Sequence, residues 1–385
     1  MRNLVLLGLQ DSGNLGDTLV CACTERIIEG ILRKLGIGDV GLVSCDMYGA
    51  ECYAALDAFA ARKEELTQDE IRRLRKETVV SSARERARSV ISDDTAAVIF
   101  FGGGIIKYGH SLKLGYCMEP YLRRAEERNV PVMISAAGVD GYDPGDEECG
   151  VFAEILNLPC VRTITVRDDI DLLKKAYVSS PEIRVRKVPC PTLLCSELFP
   201  AERRRETGVI GLGVIKPKKM TEIHPEFTAE KQIALWTGII GELEKRGFGW
   251  RLFSNGLQSD FRFIPEILNA AGRPASAETM LPGPRNVREL LDSYLMFDGI
   301  VASRFHVAVP SYSYGIPFVE LVWNVKQTLF AKDMHLEDSF FNPETATAAQ
   351  IVDRLSENMR KPRPQTPVDP RRTVNELERF LREVL

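Results

Sequence analysis

The stretch FDGIVASRFHVAVPSYSYGIPFVELV, residues 297–322, decides how the chain is to be read. Phe297 to Ala302, apolar except at Asp298, reads as a short strand. Phe305 to Tyr314 reads as a short helix capped by Gly315, and Pro317 to Val322 as the next strand. Strand, helix, strand is the repeating unit of a parallel α/β sheet, and such sheets bind ligands beyond the carboxyl ends of their strands. Ser303, Arg304 and His306 fall at that junction. The helix start offers N–H groups to an anion, the guanidinium adds a fixed positive charge, and the imidazole titrates near neutral pH.

The same alternation extends in both directions. Leu4–Leu9, Gly41–Cys45, Ala97–Phe101, Val130–Ser135, Arg162–Val166 and Ile183–Val188 read as strands. Between them, Thr18–Leu35, Tyr116–Arg128 and Asp168–Ala176 read as helices, and 64–92, rich in Arg and Glu, as one or two solvated ones. Gly36 suits the C-terminal cap of the first helix. Ser196–Gly208, with Pro200 and the run Glu202 to Glu206, reads as a linker. Beyond it, strands at Val209–Val214, Trp250–Ser254, Phe297–Ala302 and Pro317–Val322 alternate with helices at Thr228–Arg246, Asp260–Ala271, Val287–Tyr294 and Phe305–Tyr314. Two helices, Ala346–Arg360 and Thr373–Leu385, end the chain. The expected organisation is an N-terminal Rossmann-like domain over 1–200, a C-terminal one over 207–345, and terminal helices over 346–385 packing back across both. The carboxyl ends of both sheets are expected to face a cleft.

Composition agrees with this class. The 385 residues carry 50 basic and 54 acidic side chains, a formal charge of −4, with 44% hydrophobic and 27% charged residues. These values fit a soluble globular protein rather than a disordered or fibrous one. They provide no global basic field, so nucleic-acid binding is not expected. The nine cysteines point to reduced thiols and a cytoplasmic location. Neither Cys21/Cys23 nor Cys190/Cys195 has a second pair at zinc spacing, so no metal is expected. The apolar start, Leu4 to Leu9, is too short for a signal peptide, and 96–106 is too short to span a bilayer.

Other junctions carry candidates. Asp11 to Asp17 joins the first strand to the first helix, and lacks both the dinucleotide fingerprint and the P-loop pattern. Its Asn14, Gly16 and Asp17 fit a tight turn into a helix start, with Asp17 either the N-cap or a carboxylate able to accept a proton from a substrate hydroxyl. Gly102, Gly103 and Gly104 follow a buried strand and permit close approach of a ligand or of packing neighbours. Lys107, Tyr108 and His110 come directly after. Arg167 stands at a strand end, with Asp168 as the expected N-cap of the next helix. Lys326, in the loop after the strand ending near Val322, and Lys216, Lys218 and Lys219 could add cations.

In this order the pieces resemble the polysaccharide pyruvyl transferase family. The matching elements are Asn14-x-Gly16-Asp17, the glycines at 102–104, Val166-Arg167-Asp168, Ser303-Arg304-Phe305-His306, Tyr314-Gly315-Ile316-Pro317 and Lys326. The resemblance implies a GT-B-like fold of two Rossmann-type domains and transfer of a pyruvyl group from phosphoenolpyruvate to a sugar, as a ketal bridging two hydroxyls. It implies donor binding by Arg304, a further donor contact at Arg167, a catalytic role for His306, and a place in the N-terminal cleft motif for Asn14 and Asp17. The residues themselves add Ser303 and Lys326 as expected donor contacts and Asp17 as the expected catalytic carboxylate that takes the hydroxyl proton. Asn14, Gly16, Gly102, Gly103, Gly104, Lys107 and His110 are assigned to the acceptor side or cleft. No cofactor is implied. The acceptor is expected to be a sugar in cell-surface or exopolysaccharide synthesis, with a lipid-linked acceptor and transient contact with a membrane surface left open. One departure stands out: Cys190-Pro191-Thr192 occupies the place where the family often has Asp-Pro-Ala/Thr. A nucleotide-sugar glycosyltransferase of GT-B fold and a non-catalytic ligand-binding homologue are the alternative readings.

Overall fold

The computed structural model describes residues 2–62, 65–203, 206–361 and 366–385. The start of the charged stretch expected from residue 64, and Arg204 and Arg205 of the expected linker, lie outside the described residues. By contacts the chain forms two compact units. The first comprises Met1–Ser12, Val20–Pro191 and Pro370–Leu385, and the second Gly13–Leu19 and Thr192–Asp369.

The first unit contains β1 (Arg2–Gly8), β2 (Val40–Asp46), β3 (Thr95–Phe101), β4 (Ile106–Lys107), β5 (Val132–Ala137), β6 (Val139–Asp140), β7 (Val161–Val166) and β8 (Arg184–Lys187). Six of these form a parallel sheet in the order β2-β1-β3-β5-β7-β8, and β4 pairs with β6 in a small separate ladder. Its helices are α1 (Leu15–Leu35), α2 (Ala50–Ala61), α3 (Gln68–Val90), α4 (Leu114–Glu127), α5 (Glu147–Ile155) and the short α6 (Ile170–Leu172), which runs into a π turn over Leu173–Tyr177. Leu4 to Leu7 and Val98 to Phe101 are fully buried. That explains why these runs are apolar without alternation: helices cover both faces of a parallel sheet. Helix α1 buries Val20, Ile27, Ile28, Ile31 and Leu32, at i, i+3, i+4 spacing, against this sheet. It ends at Gly36, whose φ of 69° favours glycine.

The second unit holds β9 (Val209–Gly213), β10 (Gly249–Phe253), β11 (Gly299–Ala302), β12 (Phe318–Leu321) and β13 (Phe340–Phe341), all parallel, in the order β10-β9-β11-β12-β13. Around it lie α7 (Cys195–Leu198), α8 (Pro217–Thr221), α9 (Ala229–Lys245), α10 (Gln258–Phe261), α11 (Ile264–Ala270), α12 (Val287–Leu295), α13 (Phe305–Ser313), α14 (Val325–Met334) and α15 (Ala348–Arg360). Ile351, Val352 and Leu355 of α15 join the core of this unit. The last helix, α16 (Arg371–Val384), belongs to the first unit. There Thr373 donates to the Pro189 carbonyl at 2.7 Å, and Arg184 pairs with Glu376 and Glu383.

Three expectations change. The contact boundary falls between Pro191 and Thr192, because the segment read as a linker is fastened to the second unit. Ser313 Oγ donates to the Leu193 carbonyl, Tyr314 Oη to that of Phe199, and Arg203 to those of Gly315 and Asp298. Asp169, not Asp168, caps α6 by accepting from the Leu172 N–H, while Asp168 Oδ1 accepts from Val139 N–H. Lys326 lies in the first turn of α14 and not in a loop.

In each unit the strand order reverses beside the first strand, between β1 and β3 and between β9 and β11. These are the topological switch points, where connections on either side run to opposite faces and leave a crevice at the strand ends. Gly102–Gly104 sits at the first, and Lys216 and Ser303–His306 at the second. Among the described residues, no helix is long and apolar enough to cross a membrane.

Candidate functional site

At the switch point of the second unit, β11 ends at Ala302 and the chain passes through buried Ser303 into Arg304. Arg304 occupies the N-cap position of α13 in an extended conformation. His306 departs from helical geometry, at φ −84° and ψ 18°, and Val307 N–H bonds back to the Arg304 carbonyl at 2.7 Å. This bridge-region conformation, frequent among active-site residues, tightens the first turn. Tyr294 Oη donates to the His306 carbonyl and Trp323 Nε1 to that of Ser303, so both ends of the turn are tied down.

The imidazole packs against the first turn of α1. A Cβ at Gly16 would come within 2.7 Å of both Cβ and Nδ1 of His306, so only glycine lets the two backbones approach this closely. Asn14 precedes α1, and its Oδ1 accepts from Gly16 N–H. Asp17, the third residue of the helix, is therefore not the cap. Its Oδ1 lies 3.9 Å from His306 Nδ1, and its Oδ2 accepts from Asn14 Nδ2 at 2.8 Å. The Asn14-x-Gly16-Asp17 pattern thus has a geometric reason: cap, close approach and carboxylate, all directed at one histidine.

Arg304 does not stand open. Its Nε and Nη2 fork onto Asp260 at 2.8 Å each, and the Asp260 side chain is 0% exposed. Asp260 Oδ1 also accepts from Lys216 N–H at 3.0 Å, so this carboxylate ties the loop after β9 to that after β11. The Arg304 guanidinium carbon lies 5.7 Å from the Trp323 ring centroid. Burial holds the Lys216 amine below its ordinary range, with Lys219 and Arg304 adding like-charge repulsion, which marks these three cations as neighbours. Lys219 also pairs with Glu222 at 2.6 Å. Beneath the site, on β12, Glu320 is wholly buried. Burial pushes its carboxyl up to about 8, against the pull of the Gln327 hydrogen bond and of Arg304.

The remaining sequence candidates lie in the first unit. Gly102, at φ 94°, faces Cys21 of α1, whose sulfur would sit 3.1 Å from an added Cβ. The Gly103 carbonyl accepts from Gly138 N–H. Lys107 pairs with Asp140 across the β4–β6 ladder, and His110 Nδ1 accepts from Leu112 N–H. Buried Glu148 accepts from the N–H groups of Gly109 and Gly115 and so pins the connecting loop. Arg167, mostly buried, directs Nη1 at Cys190 Sγ, 3.6 Å away. The position that departs from the family pattern is therefore a neighbour of Arg167.

The structure thus gathers Asn14, Gly16, Asp17, Ser303, Arg304 and His306 in the second unit, and Lys326 belongs to that unit too. Gly102, Gly103, Gly104, Lys107, His110 and Arg167 belong to the first. Sequence reasoning missed Asp260 and Asn255. Both follow β10 at the carboxyl edge of the sheet, a position that could have flagged them. Asp260 was read only as the start of a helix.

The profile of the polysaccharide pyruvyl transferase family matches residues 14–324 of the chain. No curated protein matches the sequence. Among solved structures, the UDP-GlcNAc 2-epimerase from Neisseria meningitidis, bound to UDP-GlcNAc, is similar with a TM-score of 0.58 at 12% identity, over 100% of both chains. The UDP-GlcNAc 2-epimerase from Methanocaldococcus jannaschii is similar with a TM-score of 0.59 at 12% identity, again over 100% of both. At such identities the likeness identifies the fold, that of GT-B enzymes, and nothing about the substrate.

Proposed function

We propose that this chain, which belongs to the polysaccharide pyruvyl transferase family, transfers a pyruvyl group from phosphoenolpyruvate to a pair of sugar hydroxyls, in the cytoplasm, during cell-surface or exopolysaccharide synthesis. The observation that carries this reading is the His306–Asp17 pair, seated on Gly16 and beside the Arg304 turn.

Phosphoenolpyruvate needs a proton on its methylene carbon before a hydroxyl can add to the adjacent carbon. His306 supplies that proton, and oxocarbenium character develops at the carbon bearing carboxylate and phosphate. One sugar hydroxyl attacks there and gives up its proton. The second hydroxyl then displaces phosphate, closing the ketal and releasing a second proton. Asp17, beside Nδ1, balances the imidazolium and receives a hydroxyl proton. The donor carries a carboxylate and a phosphate, so its recognition falls to the cations Arg304 and Lys326 and to the Ser303 N–H, with Lys216 near Arg304.

The test is incubation with phosphoenolpyruvate and a panel of methyl glycosides, following phosphate release, against incubation with UDP-GlcNAc, following UDP release. Phosphate release that requires both phosphoenolpyruvate and a sugar supports the reading; UDP release alone overturns it. A histidine general acid contributes roughly 10²–10⁴-fold, so His306→Ala should lower phosphate release by about that factor. Unchanged turnover in the folded variant would remove His306 from the mechanism.

A further inference from the structure

The side chain that completes the candidate site from below is Asn255, at the carboxyl end of β10. Its Nδ2 donates to Asn14 Oδ1 at 3.0 Å, across 241 residues of sequence. Asn14 cannot be turned around. Its Oδ1 already accepts from Gly16 N–H, and its Nδ2 donates to the Asp17 carboxylate. A flipped Asn14 would point its oxygen at that carboxylate and its amine at an N–H. With Asn14 fixed, only the amide nitrogen of Asn255 can face it.

That orientation has a consequence. Asn255 is 2% exposed, and its Oδ1 is left buried with no hydrogen-bond partner among the described residues. An unpaired buried carbonyl costs about 1–3 kcal/mol, and such a group in a native fold calls for a reason. Next to it, Gly256 at φ 101° leaves room for Leu15: an added Cβ would lie 2.7 Å from Leu15 Cγ. The loop after β10 is therefore shaped to receive the first turn of α1, by a glycine for the backbone and by an amide for Asn14.

We infer that Asn255 is a positioning residue for the reaction: through Asn14 it aims the Asp17 carboxylate at Nδ1 of His306. The order is Asn255 to Asn14 to Asp17 to His306, each step a hydrogen bond or an ion-pair distance. The unpaired Asn255 oxygen is the stability given up for that aim, the pattern expected where a site is held in working geometry at the fold's expense. The inference rests on the reading of His306 as the proton donor, and its test does not depend on turnover.

Two variants decide it. Asn255→Ala removes both the link to Asn14 and the unpaired oxygen. Asn255→Asp keeps the shape but sets an acceptor against Asn14 Oδ1, and serves if the alanine variant does not fold. The readouts are the ¹⁵N signals of the His306 ring in the free protein, assigned by their loss in His306→Ala, together with the melting temperature and the affinity for phosphoenolpyruvate. The expected result is displaced His306 ring signals in either variant, an unlowered melting temperature in Asn255→Ala, and unchanged donor affinity. Where phosphate release is followed, turnover should fall about 10–100-fold, the scale of a misaimed catalytic group. Ring signals that superimpose on the wild type overturn the inference. So does a melting temperature lowered in Asn255→Ala, which would make the residue a structural one. If His306→Ala keeps full turnover while the ring signals still move, the catalytic reading fails and the Asn255 link stands.

Discussion

Arg167 and Arg304 occupy corresponding places, one in each unit. Arg167 directly follows β7, and Arg304 comes two residues after β11, both at the carboxyl edge of a parallel sheet. Their partners differ. Arg304 forks onto the buried carboxylate of Asp260, whereas Arg167 reaches the sulfur of Cys190. A carboxylate fixes a guanidinium and cancels most of its field, which contact with a thiol does not do. Arg304 is thus built for fixed geometry, with Lys216 and Lys219 as further cations beside it. The overall charge of −4 conceals this division.

The comparison breaks most visibly at Asp260. Removing one partner of a buried ion pair typically costs ~3–5 kcal/mol, because the remaining charge is stranded. Asp260→Ala leaves Arg304 without its fork and Lys216 N–H without its acceptor, so urea unfolding should show a loss of about that size. The double variant with Arg304→Ala should lose less than the sum of the two single variants, since the stranded charge is gone. An Asp260→Ala protein as stable as the wild type would mean that the pair does not hold the site. The same substitution tried on the other side, Cys190→Ala, strands no charge and should be far milder.

The two arginines also show what a sequence reveals. Both were visible, because a basic residue just after an apolar run is a local signal. So were nearly all main-sheet strands, since burial on both faces writes continuous apolar runs such as Thr95–Phe101. Helix α2, rich in alanine, and α5 carry no strong helical period, and the sequence pattern puts Lys326 in a loop rather than in α14. Partners were beyond reach. Asp260 lies 44 residues from Arg304, and Asn255 lies 241 from Asn14. No spacing rule connects residues joined only by strand order. Cys190 was legible as a departure from the family pattern, but only the fold shows that it touches Arg167.

That contact supplies the second test. Cys190→Asp restores the residue type the family often has and places a carboxylate against Arg167, making it resemble Arg304. If phosphoenolpyruvate uses the charge of Arg167, its affinity by calorimetry should fall about tenfold, ~1.4 kcal/mol. Cys190→Ser, neutral and nearly isosteric, should leave it alone. An unchanged affinity in Cys190→Asp would assign Arg167 to structure.

A pH-dependent contrast is expected at Glu320, the buried carboxyl near Arg304. Its folded value of about 8 lies above the ordinary 4.5, because burial favours the neutral form. The folded protein therefore keeps a proton that the unfolded chain has already released, and stability falls wherever the folded state binds more protons. The contribution is fully present below pH 4.5 and lost as the pH rises through about 8. Glu320→Gln keeps an oxygen for Gln327 and cannot ionise, so it should flatten this decline. Between pH 5 and pH 9 the melting temperature of the wild type should drop more than that of Glu320→Gln, with the curves meeting at the acid end. Parallel curves would show that Glu320 is ionised in the folded protein, and its charge would then join Asp260 in neutralising Arg304, widening the contrast with Arg167.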